Sequence, residues 1–132
     1  EYGSTDAGNL ARFYAGDCYL RTGDFNNAVK QLKEFSTSEV QIQARAYKLL
    51  GDAYSELGKN DDAIEYYKKS ANHFPEDLHN SAEALLFAAT LSDKSGKTKE
   101  AIELFKEIKE RFPNTQAYNE SDKYLAMHNI FN

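Results

Sequence analysis

The side chains that could bind a metal ion are few and widely separated along the chain. No two of the three histidines, His73, His79 and His128, stand in a His-x-x-x-His spacing. Cys18 is the sole cysteine, which excludes a Cys-x-x-Cys element and any disulfide within the chain. A protein metal site needs several ligands that converge. We therefore predict no metal and no cofactor, and we expect a packed His128 that bonds to backbone or water, with the other two histidines solvated.

Acidic pairs occur twice, but their positions favour a structural role. Residues 61–62 and 76–77 each lie near the start of a predicted helix, where the helix dipole stabilises negative charge. No serine lies in a nucleophile-elbow motif, and the glycines are scattered instead of forming a phosphate-binding loop. The sequence therefore predicts that the protein is not an enzyme.

Composition and charge exclude two further kinds of contact. The 132 residues include 16 basic and 21 acidic side chains, for a net charge of −5, without a block rich in lysine or arginine. Nucleic-acid binding rests on clustered positive charge, so we expect no nucleic-acid partner. The longest mostly apolar stretch, residues 84–91, is far shorter than the roughly 20 residues that cross a bilayer. We expect no direct membrane contact by this segment.

Three segments of the chain repeat one another, at residues 22–28, 57–63 and 95–101. Their glycines, Gly23, Gly58 and Gly96, are 35 and 38 residues apart, close to the period of helix–turn–helix arrays. Between them, apolar residues recur at three- and four-residue steps, which is the periodicity of an α-helix. The sequence predicts an all-α fold of seven helices, without a strand, at about 6–22, 25–35, 39–57, 60–73, 78–95, 98–111 and 116–130.

Glycines, capping residues and prolines mark the expected ends of these helices. The glycine of each repeated turn can adopt the left-handed conformation that ends a helix. Ser36 and Glu39 fit a capping box, and Pro75 and Pro113 follow helices that a proline cannot continue. The expected N-caps after the glycines are Asp24, Asn60 and Thr98. Cys18 lies among apolar residues on a helical pattern, and we expect it to be a small buried residue.

The chain resembles the tetratricopeptide repeat family in its helix-packing residues. Its first helices contain Ala15-Gly16-Asp17-Cys18-Tyr19 and Leu50-Gly51-Asp52-Ala53-Tyr54, which match the family's Leu-Gly-x-x-Tyr core. Its second helices contain Ala28, Ala63 and Ala101, each followed four residues later by a large apolar residue, and Pro75 and Pro113 match the family's terminal proline. The resemblance implies one right-handed superhelical domain over residues 1–132, with three helical hairpins as repeats at about 9–38, 44–77 and 82–115 and a C-terminal capping helix at about 116–130.

Both ends of the sequence extend this interpretation. The last predicted helix carries a one-sided stripe that suits a cap over the end of a repeat stack: Tyr118, Ser121, Tyr124, Leu125, His128 and Phe131. Residues 1–7 resemble residues 111–117, which connect the sixth and seventh helices, so we expect the chain to be an excerpt of a longer protein.

A looser resemblance concerns location. The repeat spacing and residues 120–126 are similar to bacterial proteins that have one N-terminal membrane helix and periplasmic repeats, some of them beside the protein-export translocon. This resemblance implies a membrane-anchored protein whose repeats lie on the periplasmic side of a bacterial inner membrane.

The expected binding surface also follows from the tetratricopeptide resemblance, in which the first helix of each pair lines a concave groove. Thirteen residues would lie there, which we call the groove residues: Leu10, Phe13, Asp17, Leu20, Arg21, Arg45, Lys48, Asp52, Glu56, Glu83, Leu86, Thr90 and Asp93. Apolar anchors of a peptide or amphipathic helix would contact the apolar residues near the start of this series, while acidic groups meet Arg45 and Lys48. Alternatively, Phe13 and Leu20 pack against a further repeat upstream.

The groove residues also argue against one well-known subclass of tetratricopeptide repeat proteins, which binds the terminal carboxylate of a peptide with lysines and asparagines. Asp17 and Asp52 stand where that subclass carries asparagine, and acids there would repel a carboxylate. We expect a non-catalytic protein–protein interaction scaffold that binds a peptide or helix of a partner. Two alternatives stay open: a structural self-association domain that forms homo-oligomers, and a regulatory appendage of a larger membrane-anchored protein.

Overall fold

A computed structural model describes residues 6–130, and within this range the chain forms seven α-helices and no strand. The helices are α1 (Asp6–Thr22), α2 (Phe25–Glu34), α3 (Val40–Glu56), α4 (Asn60–His73), α5 (Leu78–Lys94), α6 (Thr98–Arg111) and α7 (Gln116–Met127). The all-α prediction is confirmed. The largest difference is at α7, which ends at Met127 because Asn129 takes a φ of 61° and closes the helix.

The three hairpin turns share one hydrogen-bond pattern. In the second turn, the N–H of Gly58 donates to the carbonyl of Ser55 at 3.0 Å, and the N–H of Lys59 donates to that of Tyr54 at 2.9 Å. This is a Schellman motif, in which the residue at C′ is left-handed. The glycines of the three turns have φ values of 86°, 75° and 81°, so they end their helices as predicted.

The N-caps were predicted correctly at one turn only. The Asp24 side chain accepts a bond from the N–H of Asn27 at 3.4 Å. At the other two turns the N-caps are Lys59 and Lys97, and Asn60 and Thr98 are the first helical residues. The reason is that the residue directly after each glycine both ends one helix and begins the next, whichever side chain it carries.

The capping box predicted at Ser36 is wrong. Helix α3 begins after Glu39, whose side chain makes no capping bond, and the N–H of Glu39 donates to Thr37 Oγ1 at 3.1 Å. Gln43 reaches back instead, and its Oε1 accepts from the N–H of Thr37 at 3.0 Å. The backbone of Phe35 is extended, so the connection from α2 to α3 runs through residues 35–39 before α3 begins.

Consecutive helices pack on one another along the chain, and α1 also contacts α3 as α5 contacts α7. Within a hairpin, small residues let the two helices approach closely. A Cβ atom on Gly16 would lie 2.5 Å from Leu32 Cγ, and one on Gly51 would lie 2.6 Å from Tyr67 Cδ1. Both glycines therefore lie at close helix crossings, as predicted.

Helix α7 covers the end of the stack. Leu125 and Ser121 are fully buried, and the Tyr124 ring stacks on Phe105 with ring centroids 4.0 Å apart. The stripe predicted for this helix also included Phe131, which lies outside the described residues. His128 is exposed, but its Nδ1 lies 3.0 Å from the Tyr124 carbonyl and its ring stacks on Tyr124, so it is bonded to the backbone as expected.

The burial predicted for Cys18 is wrong, because this residue is exposed. The helical pattern around it is real, but the main packing partners of α1 within residues 6–130 are α2 and α3, which contact other sides of the helix. His73 and His79 are exposed, as expected. Across the described range, no helix is long and apolar enough to cross a membrane.

Candidate partner-binding groove

All thirteen groove residues lie on the first helices of the hairpins, α1, α3 and α5. Their surroundings differ from helix to helix. On α1, Phe13 is only 6% exposed and packs against Phe35, with ring centroids 5.4 Å apart. Phe13 is therefore a core residue, which corrects its expected role as a surface anchor. Leu10 is 40% exposed, Leu20 is half-buried, and Arg21 forms an ion pair with Asp17 one turn away.

Three groove residues of α3, namely Arg45, Lys48 and Asp52, line one cavity of about 240 Å³. Its other walls come from the end of α4 and the start of α5. Both wall hydroxyls are already bonded: Ser70 donates to the Ala44 carbonyl at 2.7 Å, and Ser81 donates to the Phe74 carbonyl at 2.9 Å. The charged side chains that line this cavity are thus those of α3 together with Asp77, the N-cap of α5.

The two cations of the cavity have different roles. Lys48 forms an ion pair with Glu83 on α5, and its Nζ lies 5.1 Å from the centroid of the Phe87 ring. Arg45 is exposed, and its guanidinium carbon lies 5.7 Å from the centroid of the Phe13 ring. Within the described part of the chain, no carboxylate forms an ion pair with Arg45. Lys48 ties two helices together, and Arg45 keeps its charge available to a partner.

Asp52 serves the fold more than the surface. Its carboxylate accepts a hydrogen bond from the Tyr67 hydroxyl on α4. Burial raises the pKa of Asp52 and outweighs both this hydrogen bond and the nearby Lys48, which act in the opposite direction. Burial also raises the pKa of Tyr67, so its hydroxyl stays protonated and donates. Glu56, one turn further along α3, is exposed.

The groove residues of α5 border clefts that are largely apolar. Leu86 lines three of them, with volumes of about 360, 430 and 310 Å³, and Thr90 lines two. Glu83 borders the second cleft and Asp93 the third, where the Tyr124 hydroxyl donates to Asp93 at 2.8 Å.

Accessible apolar clefts therefore lie along α5, in addition to the exposed Leu10 on α1, where the sequence had placed the apolar part of the groove. Sequence reasoning missed Phe87, which lines two of the clefts, and Met127 of α7, which is 79% exposed. The adjacent pair Leu86 and Phe87 was the available signal.

Comparison with known families agrees with this geometry. Two family models described as tetratricopeptide repeats match the chain, one at residues 42–114 and the other at residues 10–38. No curated protein is similar enough to the chain to count as a match. Tetratricopeptide repeats generally mediate protein–protein interaction, and the families are typically non-catalytic scaffolds. Since one model alone matches more than half of the residues, the chain belongs to the tetratricopeptide repeat family.

Proposed function

We propose that the groove formed by α3 and α5 binds a peptide or helix of a partner protein, one that carries an acidic group next to an apolar side chain. The observation that carries this proposal is the exposed Arg45 guanidinium, which no carboxylate of residues 6–130 pairs with. An arginine offers a fork of donors that fits a carboxylate in bidentate fashion. An acidic group on the partner supplies the negative countercharge that Arg45 does not find within residues 6–130.

The apolar half of the recognition falls to Leu86. The ion pair between Lys48 and Glu83 joins α3 to α5 between the two sites. Arg45 precedes Lys48 by one helical turn, and Leu86 follows Glu83 by one turn, so the basic and apolar sites flank this pair on either side. The apolar contact contributes affinity, while the exposed charge acts mainly on specificity and association rate.

In this proposal residues 1–132 form one domain, whose three repeats and cap provide a binding surface and catalyse no reaction. The similarity of residues 120–126 and of the repeat spacing to membrane-anchored bacterial repeat proteins also supports a proposal about location, on the periplasmic side of a bacterial inner membrane. A fusion to alkaline phosphatase, which is active only after export, tests it in the full-length protein. An inactive fusion beside an active exported control contradicts this location.

The groove is tested by photo-crosslinking in the native cell. A benzoylphenylalanine at position 86 should capture a partner, and the same residue at position 68, which faces a cleft on α4, should not. Arg45→Glu should abolish the adduct at position 86. Lys68→Glu changes the net charge equally and should leave it.

Two results contradict the groove assignment. One is an adduct that falls equally in the Arg45 and Lys68 variants, and the other is an adduct formed equally well from both crosslinking positions. A captured species that is a second copy of the chain would instead favour the self-association alternative.

A further inference from the structure

Helix α1 carries an exposed stripe that the proposed groove does not use. Its members are Leu10, Ala11, Tyr14 and Cys18, which follow one another at helical spacing on one side. Tyr14 is 61% exposed and Leu10 is 40% exposed. Ala11 and Cys18 are also exposed. We call these four residues the α1 stripe.

Two positions of the α1 stripe have buried equivalents on the other first helices, whereas Leu10 corresponds to the exposed Arg45 and Glu83. The shared glycines Gly16 and Gly51 align α1 with α3 at a distance of 35 residues, which pairs Ala11 with Ala46 and Cys18 with Ala53. Ala46 and Ala53 are both 0% exposed, and so is Ala84 at the matching position of α5. The same position is therefore covered in two hairpins and open in the first.

What covers this side in the later hairpins is the second helix of the hairpin before. Helix α2 packs on α3, and α4 packs on α5. At α5 the contact is aromatic: the Tyr67 and Phe87 rings form a T-shaped pair with centroids 5.5 Å apart, and Phe87 is the counterpart of Tyr14. Within residues 6–130, α1 has its following neighbours α2 and α3 as main packing partners, and no second helix of a preceding hairpin lies against it.

We propose that the α1 stripe is the docking surface for the second helix of a further helical hairpin, carried by the same polypeptide ahead of α1. The docking helix is amphipathic. It places an aromatic or aliphatic side chain over Tyr14, as α4 places Tyr67 over Phe87. A second copy of the chain fits this surface less well, because its second helices α2, α4 and α6 already cover its own α3, α5 and α7.

Cys18 reports directly on this proposal. It is exposed and is the chain's sole cysteine, so a maleimide reagent labels one site in the 132-residue chain. In the full-length polypeptide, the docked helix should slow this labelling by about tenfold or more, since the reagent then needs a local opening. A control pairs Cys18→Ser with Lys30→Cys, which moves the thiol to an exposed site on α2 and should label equally fast in both lengths.

A second variant separates docking from misfolding. Tyr14→Asp should leave the denaturation midpoint of the 132-residue chain unchanged, because Tyr14 is exposed there, and should restore fast labelling of Cys18 in the full-length polypeptide. Equal labelling of Cys18 at both lengths overturns the proposal. So does a 132-residue chain that dimerises and loses its dimer with Tyr14→Asp, since the occupant is then a second copy.

Discussion

Gly51 and Tyr67 show how single residues set the spacing of a hairpin. Tyr67 is 5% exposed, packs where a side chain on Gly51 would be, and is held in place by its hydrogen bond to Asp52. Leu32 fills the same position against Gly16 in the first hairpin. The small residue is therefore required by the large one that faces it, and helix propensity, which disfavours glycine, is overruled by packing.

Gly51→Ala should lower the free energy of unfolding by about 1 kcal/mol. Alanine gains about 1 kcal/mol of helix propensity over glycine, but a Cβ that would lie 2.6 Å from the Tyr67 ring costs about 1–3 kcal/mol of overpacking. Urea denaturation measures the difference. In a Tyr67→Ala background the same substitution should stabilise the protein, and a loss of equal size in both backgrounds would show that the ring is not the cause.

Asp52 gives a pH-dependent prediction. Its pKa is raised in the folded state, so the native protein binds the proton more tightly than the unfolded chain does. Stability therefore falls as pH rises from the ordinary aspartate pKa through the raised value, and the loss persists above it. Asp52→Asn keeps an acceptor for Tyr67 and removes the buried charge, so it should be at least as stable as the parent at pH 7.

Urea midpoints between pH 4 and pH 8 check this sign. The advantage of Asp52→Asn should shrink as pH falls toward 4, where the parent carboxyl becomes protonated. Glu103→Gln, which neutralises an exposed carboxylate on α6, should show no such trend. If Asp52→Asn were less stable than the parent by the same amount at every pH, the buried charge of Asp52 would not be the source of the pH dependence.

Helix bounds followed from local chemistry, and that is why the sequence was sufficient for them. The glycine turns and prolines act within a few residues, so α1, α4 and α6 begin and end where they were predicted. The burial of Cys18 and the exposure of Phe13 were wrong for a different reason. Both depend on which neighbouring helix covers a given side, and a helical pattern alone does not contain that information.

In the candidate groove, too, the sequence predicted which residues lie together on one helix but not which residues of other helices they contact. The sequence and the family resemblance placed Arg45, Lys48 and Asp52 together on α3, and the structure brings them into one cavity. Their different roles depend on partners from other helices, Glu83 for Lys48 and Tyr67 for Asp52. Those pairings cross 35 and 15 residues of sequence, and no local pattern announces them.

Helix α7 should contribute stability through one buried leucine above all. Leu125 is 0% exposed against the core, so Leu125→Ala should cost about 2–5 kcal/mol. Met127→Ala removes a side chain of similar size from the same helix at a position that is 79% exposed, and should cost under about 0.5 kcal/mol. Chemical denaturation compares the two. Equal midpoints would show that α7 does not cap the stack as its burial indicates.

The stack as a whole is a linear series of hairpins in which most contacts join neighbours. In such an array stability is the sum of each hairpin and its interfaces, so an end with fewer interfaces opens more readily. The C-terminal end is covered by α7, whereas the α1 stripe is exposed. The two ends of the described chain are thus energetically unequal, even though the hairpins share one architecture.

Native-state hydrogen exchange should show this inequality along the chain. Amides of α1 and α2 should exchange through openings of lower free energy than those of α5 and α6, because only one side of the first hairpin is packed against another. Leu32→Ala, which empties a side chain that is 1% exposed in the first hairpin, should speed exchange in α1 and α2 strongly. Exchange in α6 and α7 should change little, since those helices share no contact with α2 among the main packing pairs. Uniform acceleration across all seven helices would mean that residues 6–130 open as one cooperative unit, and the linear description of the stack would then fail.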